Sequence, residues 1–258
     1  MEENKFDIQD KAYHFPFHHI PYFDDNKNVR LSRKLYWGLE YLCYQKHIAE
    51  KILSYRPVSI LDVGCGDGRL LHFISETGNN SVCGSDGEIK KAGVDLSKKA
   101  ISFARAFNPD CNIYCCDIKE ITDTFDAVTA IEVLEHIPDN YIGNFLSELQ
   151  KHLNPKGRII ICVPTTVVPV TRKHYRHYTI ELLSKCLSEN NIHLKIISFE
   201  YIFHRPWWLK AFRRLEYNGL FSLEIKPLTQ FVWKKIWNKY RFANENNGTH
   251  LVCVLQNS

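Results

Sequence analysis

The sequence predicts a doubly wound α/β fold, in which helices cover both faces of a mainly parallel sheet. Short β-branched runs alternate with segments of helical spacing from residue 58 onward. The 258 residues are 45% hydrophobic and 24% charged, which is typical of one large globular domain with a sizeable core. Because alternating strands and helices form βαβ units, we expect a parallel sheet between two helical layers.

The strand candidates follow one another at short intervals along the chain. They cover residues 58–63, 92–95, 112–116, 125–131, 158–163, 192–200 and 250–255. Residues 100–107 and 142–153 between them show helical spacing, and residues 31–53 ahead of them predict one long amphipathic helix.

A glycine loop follows the first strand, in the segment ILDVGCGDGRLL at residues 60–71. Gly64, Gly66 and Gly68 alternate in it, whereas a dinucleotide-binding loop needs a glycine three residues after its second glycine, where this chain has Arg69. No Gly-Lys-Ser/Thr follows, which excludes a P-loop. The loop therefore indicates a ligand other than a dinucleotide or a nucleoside triphosphate.

Four carboxylates lie at the ends of successive strands. Asp62 precedes the glycine loop, and Asp95, Asp117 and Glu132 end or follow the next three strands. The carboxyl ends of the strands in such a sheet form the ligand crevice. Carboxylates repel phosphate but suit a cationic ligand rich in hydroxyl and amino donors. S-adenosylmethionine, with a sulfonium, an ammonium, a ribose diol and an adenine amino group, has these properties.

With these motifs the sequence resembles the class I S-adenosylmethionine-dependent methyltransferases, over residues 55–200 and again at the last strand. It is most similar in EVLEHIPD and HYRHYT to the bacterial group that includes ubiquinone-pathway and surface-polysaccharide enzymes. The resemblance implies a Rossmann-like sheet of seven strands with the last antiparallel. We expect one domain over 1–258, with a helical cap at 1–54, the cofactor-binding core at 55–200, a basic aromatic insert at 201–247 and the last strand at 248–258.

The resemblance assigns the methionine end of the cofactor to the glycine loop. The residues concerned are Asp62, Gly64, Cys65, Gly66 and Gly68. Glycine lets the backbone approach the ligand closely. Glu132 and Val133 would flank the methionyl group near the sulfonium.

The resemblance assigns the nucleoside to the next two strand ends. Asp95, with Leu96 beside it, would accept both ribose hydroxyls. Asp117 would accept the adenine amino group, and the Ile118 backbone would meet the adenine ring. Gly68 and Asp95 are 27 residues apart, more than is usual for the family, so Asp86 is an alternative ribose ligand. We prefer Asp95 because it leads directly into a helix.

Candidate catalytic residues follow the fourth and fifth strands. They are Glu135, His136, His174 and His177. A hydroxyl acceptor has a high pKa, and a base positioned beside it would accelerate methylation by about 10²–10⁴. The alternative is that Glu135 and His136 only cap a helix and shape the pocket.

Glu132, Glu135, His136 and His174 also resemble the set with which small-RNA 2′-O-methyltransferases bind a divalent cation. Two carboxylates and two imidazoles suit such an ion. The same Glu-x-x-Glu-His motif is common in small-molecule enzymes that bind no metal, and we therefore expect no metal site. A third hypothesis, a non-catalytic cofactor-binding scaffold, is disfavoured because every cofactor position carries a suitable residue.

Residues 201–241 are basic and aromatic. They contain nine Lys or Arg against two Glu, a net charge of +7 where the remainder of the chain carries −3, and four of the five tryptophans. Trp208 and Phe212, like Trp233 and Trp237, recur at helical spacing. This pattern suits an anionic membrane surface or an acidic acceptor. The alternatives are a lid that packs its aromatics over the site and a surface that stacks single-stranded RNA.

The localisation and partners follow from the same features. The N-terminus lacks an apolar core, and no segment approaches the about 18 apolar residues of a spanning helix. We expect a cytoplasmic protein with peripheral contact at the inner face of the membrane through residues 201–241. Its expected partner is a small-molecule acceptor, anionic or lipid-linked, rather than nucleic acid.

Overall fold

In the computed structural model, a twisted sheet separates two layers of helices. The structure describes residues 5–10, 22–23, 29–30, 35–81, 89–216, 221, 223 and 225–258. A short hairpin pairs β1 (Tyr22–Phe23) with β2 (Val29–Arg30). The strands of the main sheet are β3 (Ser59–Val63), β4 (Lys90–Val94), β5 (Asn112–Tyr114), β6 (Phe125–Ile131), β7 (Leu153–Pro164), β8 (Leu194–His204), β9 (Phe242–Ala243) and β10 (Gly248–Asn257).

Eight α-helices lie within the described ranges. They are α1 (Lys5–Asp10), α2 (Leu35–Ser54), α3 (Arg69–Ser81), α4 (Lys98–Phe107), α5 (Ile142–Lys151), α6 (Ile180–Glu189), α7 (Trp207–Glu216) and α8 (Lys226–Lys235). A π-helical segment, Ile236–Tyr240, continues α8. Among the described helices, none is both long and apolar enough to cross a membrane.

The main sheet has the order β5-β4-β3-β6-β7-β10-β8-β9. Neighbours from β5 to β7 run parallel, whereas β10 is antiparallel to both β7 and β8. This confirms the predicted Rossmann-like sheet with its last strand antiparallel. Strand β9 is an eighth, unpredicted member, because two residues are too short to show the alternation of a strand. The strand order reverses between β3 and β6, which creates a crevice at their carboxyl ends.

Burial on both faces explains the continuous apolar character of the central strands. All five residues of β3 are buried, with Leu61 in the cluster under α5 and α6 and Ile60 in the cluster under α2, α3 and α4. The helical spacing predicted for 142–153 is wrong at its end. Helix α5 ends at Lys151 and Leu153 begins β7, where it pairs with Phe125 of β6.

The two helices after β8 pack onto α2. Leu209 and Phe212 of α7 and Val232 of α8 form a third buried cluster with Leu39 of α2 and Phe203 of β8. Strand β8 extends to His204, so the helical part of the insert starts beyond residue 204.

Candidate active site

A cavity of about 930 Å³ opens at the carboxyl ends of the parallel strands. Fourteen of the fifteen predicted site residues line it: Asp62, Gly64, Cys65, Gly66, Asp95, Leu96, Asp117, Ile118, Glu132, Val133, Glu135, His136, His174 and His177. Residues of α1, α2 and β10 complete the wall. The fold thus brings the cofactor and catalytic candidates into one space.

The glycine loop adopts left-handed backbone conformations that favour glycine. Gly64 has φ +72° and Gly68 has φ +75°. A Cβ on Gly64 would lie 2.5 Å from Cγ2 of Val133, so this glycine lets the loop close against the wall of the cavity.

Gly68 lies close to helix α4. A Cβ on it would lie 2.5 Å from Nδ2 of Asn108 and 3.1 Å from Cβ of Ala104. Its carbonyl also accepts a 3.2 Å hydrogen bond from Nδ2 of Asn108. Among the described residues that line the cavity, Gly68 is absent. Gly68 serves the packing of the loop against α4, and its assignment to the methionine end stays a prediction.

Asp95 fastens the glycine loop to the end of β4. Its Oδ2 accepts a 3.0 Å hydrogen bond from the Gly66 amide, and its Oδ1 accepts a 2.7 Å bond from the Ser97 amide. Ser97 in turn caps α4. The carboxylate is thus held at the cavity wall by two backbone donors. The alternative ribose ligand, Asp86, lies outside the described residues.

Asp117 caps a single 3₁₀ turn at Ile118–Glu120. Its Oδ1 accepts a 3.0 Å bond from the Lys119 amide, and its own amide donates a 3.0 Å bond to Oε1 of Glu120. This capping box fixes the turn. Asp117 and Ile118 both face the cavity, so capping and ligand contact are compatible.

Asp62 is buried at the base of the cavity. Its Oδ1 accepts a 2.6 Å hydrogen bond from Oγ1 of Thr129. Burial raises the pKa of Asp62 to about 7, although the Thr129 bond opposes that change. A cationic ligand would favour its ionised form.

Glu132 leaves β6 with a left-handed backbone, φ +57°. A residue other than glycine in this region costs about 1–3 kcal/mol, and such strain clusters at functional sites. The turn places Oε2 of Glu132 3.7 Å from Nε2 of His250. Burial and the nearby charge of Glu135 raise the pKa of Glu132 well above its ordinary value.

Glu135 holds a fully buried carboxyl group that faces the cavity. Among the described atoms, neither of its carboxyl oxygens has a hydrogen-bond partner. Nε2 of His136 lies 3.8 Å from Oε1, beyond hydrogen-bonding distance. Burial raises the pKa of Glu135 to about 8. A buried polar group without a partner is costly, which indicates that a ligand completes the site.

Backbone carbonyls determine which nitrogens of the neighbouring histidines carry a proton. Nδ1 of His177 lies 2.8 Å from the Val168 carbonyl and 3.1 Å from the Thr165 carbonyl, so it must donate. Nε2 of His177 then accepts from Nδ1 of His174 at 2.8 Å. Nε2 of a neutral His174 therefore carries a lone pair.

His136 is oriented in the same way. Its Nδ1 donates to the Lys173 carbonyl at 3.0 Å, which leaves a lone pair on Nε2. Burial lowers the pKa of His136 to about 4, and burial with the nearby His136 lowers that of His174 to about 3. Both rings are therefore neutral at pH 7.

Both ring nitrogens of His177 are used in hydrogen bonds to His174 and the backbone. Through these bonds His177 positions His174, and its own contact with an acceptor stays a prediction. The remaining candidates converge, because one ligand atom each of Glu135, His136 and His174 lie within 4.8 Å of one another. We call these three residues the carboxylate–imidazole cluster.

The sequence analysis missed the opposite wall of the cavity, which α2 and the last strands provide. Arg205 donates to the buried Glu40 through Nε at 2.9 Å and Nη2 at 2.8 Å. Gln45 is buried against the cavity, and its Oε1 has no partner among the described atoms. Glu40 and Gln45 interrupt an otherwise apolar stretch of α2, and buried polar residues of this kind are the signal that could have identified them.

Comparison with known proteins identifies the family of the chain. A family model described as a methyltransferase domain matches residues 44–214. The chain belongs to the methyltransferase domain family. This confirms the predicted class I S-adenosylmethionine-dependent methyltransferase, with S-adenosylmethionine as its cofactor, and favours an enzyme over a non-catalytic scaffold.

Individual relatives agree at the level of family and fold. The chain is 26% identical over 206 residues to the ubiquinone biosynthesis O-methyltransferase of Nitrosococcus oceani, with 74% of each protein covered. It is 26% identical to the cyclopropane-fatty-acyl-phospholipid synthase of Escherichia coli K12, but that match spans 45% of this chain and only 28% of the synthase. Magnesium protoporphyrin IX methyltransferase from Synechocystis PCC 6803, solved with bound cofactor, has the same fold at 12% identity, with a TM-score of 0.57 over 99% of this chain and 98% of that one.

Proposed function

We propose that this methyltransferase transfers a methyl group to a hydroxyl oxygen of a small molecule. Candidate acceptors are a sugar, a polysaccharide precursor, or a lipid- or quinone-like compound. The observation that carries the proposal is the carboxylate–imidazole cluster. It presents an unpartnered carboxyl group and two imidazole lone pairs to the cavity that also contains the cofactor residues.

The cluster provides what oxygen methylation requires. S-adenosylmethionine, when bound, supplies a methyl group on a sulfonium that leaves as a neutral thioether. As the new carbon–oxygen bond forms, the acceptor hydroxyl loses its proton. Glu135 is the proposed proton acceptor in its ionised form, which is the minor form at pH 7 for a pKa of about 8 and which a cationic sulfonium nearby would favour, whereas the imidazoles are too weakly basic. Either His136 or His174 orients the hydroxyl by accepting its one hydrogen bond before the ionised Glu135 takes the proton.

The acceptor in this proposal is anionic or lipid-linked, and the protein contacts the inner face of the membrane peripherally. The net charge of +7 over residues 201–241 supports this, since it cannot serve a cationic cofactor. Two relatives are named for fatty acyl phospholipids and for ubiquinone biosynthesis. Nucleic acid is not the proposed acceptor.

A second candidate is a metal-dependent RNA 2′-O-methyltransferase. The convergence of Glu135, His136 and His174 favours it, because one carboxylate and two neutral imidazoles suit a divalent transition metal. Glu132, the fourth member of the predicted set, is not in that cluster of described residues. Three protein ligands would also leave coordination positions for a hydroxyl.

Transfer of tritium from methyl-labelled S-adenosylmethionine tests these proposals. The purified protein is incubated separately with membrane lipid extract, pooled nucleotide sugars and small RNA, with and without a chelator. We expect label in the lipid or sugar fraction, retained with chelator and lost in Glu135→Gln. Glu189→Gln, on the exposed surface of α6, is the matched control. Label confined to RNA and abolished by the chelator would contradict the proposal and establish the second candidate.

A further inference from the structure

Helices α7 and α8 each have an exposed side that carries both apolar and basic residues. On α7, Trp207, Lys210 and Arg214 are exposed at i, i+3 and i+7, which places them on one side of the helix. On α8, Phe231, Lys234 and Lys235 are exposed in the same way. Between the helices, Phe221, Leu223 and Ile225 are exposed. We call these nine residues the outer face.

The opposite side of each helix is occupied by the protein itself. Phe212 and Ile236 are buried against α2, and Trp208, Trp233 and Trp237 pack around them. The aromatic residues that the sequence predicted for a membrane surface therefore lie largely in a packed cluster. In their place the outer face presents Trp207, which is 84% exposed, Phe231 at 54% and Leu223 at 45%.

The basic residues divide in the same way. Arg205 pairs with Glu40, and Arg241 lies 4.0 Å from the Trp237 ring and 3.5 Å from a carboxylate oxygen of Glu50, so these two cations serve packing. Lys210, Arg214, Lys234 and Lys235 are exposed on the outer face beside its apolar side chains. Large apolar side chains flanked by cations are typical of surfaces that enter the headgroup region of a membrane.

We propose that the outer face docks on a lipid bilayer that contains anionic lipids, with Phe221, Leu223 and Ile225 entering the interface. A second copy of the chain would bring two segments of +7 together, and like charges disfavour that contact. RNA would stack on Trp207 and Phe231, but it offers no apolar environment for Leu223 and Ile225. Of these three partners, a bilayer alone accommodates the cations and the aliphatic side chains together.

Docking also has a structural connection to the active site. Arg205, which lines the cavity, is separated from α7 by Pro206 alone. Docking through α7 would therefore hold the cavity near lipid headgroups, where a lipid-linked acceptor resides. This consequence rests on the proposed function, whereas docking itself is measured without any acceptor.

Sedimentation with vesicles tests the proposal on the full chain. The probes are phosphatidylcholine vesicles with and without 30% phosphatidylglycerol as a chosen anionic content. We expect binding to the anionic vesicles only, weakened by added salt because exposed charges are screened. Each basic residue near such a surface contributes about 1 kcal/mol, so reversing Lys210, Arg214, Lys234 and Lys235 to glutamate should lower partitioning by at least about 100-fold.

Matched variants separate specific docking from bulk charge. Reversing Lys151, Lys156, Lys185 and Lys195, exposed on other elements, makes the same change in net charge and should retain more binding than the first variant. Trp207→Gln, Leu223→Gln and Phe231→Gln together should also lower binding, whereas Val58→Gln, Phe107→Gln and Phe199→Gln should not. S-adenosylhomocysteine affinity should stay unchanged in all of them, which shows that each variant is folded.

Three results would overturn the proposal. One is no binding of the parent to anionic vesicles. Another is an equal loss in the test and control variants. The third is that the parent does not bind vesicles but self-associates or binds a single-stranded RNA oligonucleotide, and that the outer-face variants abolish this interaction. None of these outcomes depends on methyl transfer, so failure of docking and failure of the proposed hydroxyl methylation are distinguishable.

Discussion

Replacing Glu135 by glutamine should stabilise the protein, and increasingly so as the pH rises. The carboxyl group is fully buried, neither of its oxygens has a partner among the described atoms, and burial raises its pKa to about 8 from an ordinary 4.5. The folded state therefore binds this proton more tightly than the unfolded state. Glutamine has nearly the same shape, carries no charge, and its amide can donate to the lone pairs of His136 and His174.

The sign and size of the effect follow from proton linkage. Below pH 4.5 the carboxyl group is protonated in both states and carries no pH-dependent penalty. Between pH 4.5 and 8 the unfolded state releases the proton first, so the stability of the parent falls. One pKa unit corresponds to about 1.4 kcal/mol, and the difference between 4.5 and about 8 therefore sets a ceiling of about 5 kcal/mol above pH 8.

Urea unfolding at pH 5 and pH 8.5 measures this effect. We expect the stability advantage of Glu135→Gln over the parent to grow by at least about 2 kcal/mol between these pH values, which is a large change for a domain whose total stability is about 5–15 kcal/mol. Glu189→Gln, whose carboxylate is exposed, should show no such growth. An advantage that is constant with pH, or a variant that becomes less stable as the pH rises, would refute the argument that Glu135 is held in its neutral form.

Three further predictions concern the cofactor loop, the histidines and metal. Gly64→Ala should weaken S-adenosylhomocysteine binding at least about 10-fold in calorimetry, since the left-handed backbone costs about 1–2 kcal/mol and the new Cβ meets Val133 at 2.5 Å. The control is Gly38→Ala, whose new Cβ meets nothing within 4 Å. Equal affinities of the two variants would disprove the steric argument. In long-range ¹⁵N–¹H NMR of the parent, His174 and His136 should both carry their proton on Nδ1. In His177→Ala, the tautomer of His174 alone should no longer be fixed. An unchanged His174 signal would show that His177 does not position it. Methyl transfer should survive exhaustive chelation, whereas a strict requirement for Mn²⁺ or Mg²⁺ that His136→Ala or His174→Ala abolishes would favour the RNA candidate.

The sequence predicted the sheet and the cofactor wall because these features are local. A buried parallel strand appears in the sequence as an apolar run, and the site residues follow the end of that run within a few positions. The same reasoning assigned all three loop glycines to the ligand. It does not separate a ligand role for Gly68 from a packing role, because a conformation that requires glycine looks the same in sequence whether a cofactor or the side chain of Asn108 fills the space.

The acceptor wall and the insert could not be predicted because they depend on contacts between distant segments. Arg205 and Glu40 are 165 residues apart, and no periodicity indicates that they pair. The tryptophans of residues 201–241 were recognised as amphipathic, but helical spacing does not reveal which side faces the protein. That choice is made by Leu39 and Cys43 of α2, against which the aromatic side chains pack.

Calorimetric titration with S-adenosylhomocysteine, comparing Asp95→Ala with Asp86→Ala, tests most directly that the cofactor is bound by the carboxylates at the strand ends. Asp95 holds the Gly66 and Ser97 amides and lines the cavity, and a hydrogen bond to a charged group contributes about 1.5–3 kcal/mol. We predict one site per chain in the parent, binding about 100-fold weaker or more in Asp95→Ala, and parental affinity in Asp86→Ala. Parental affinity in Asp95→Ala together with loss in Asp86→Ala would contradict the assignment and move the ribose site to the earlier aspartate.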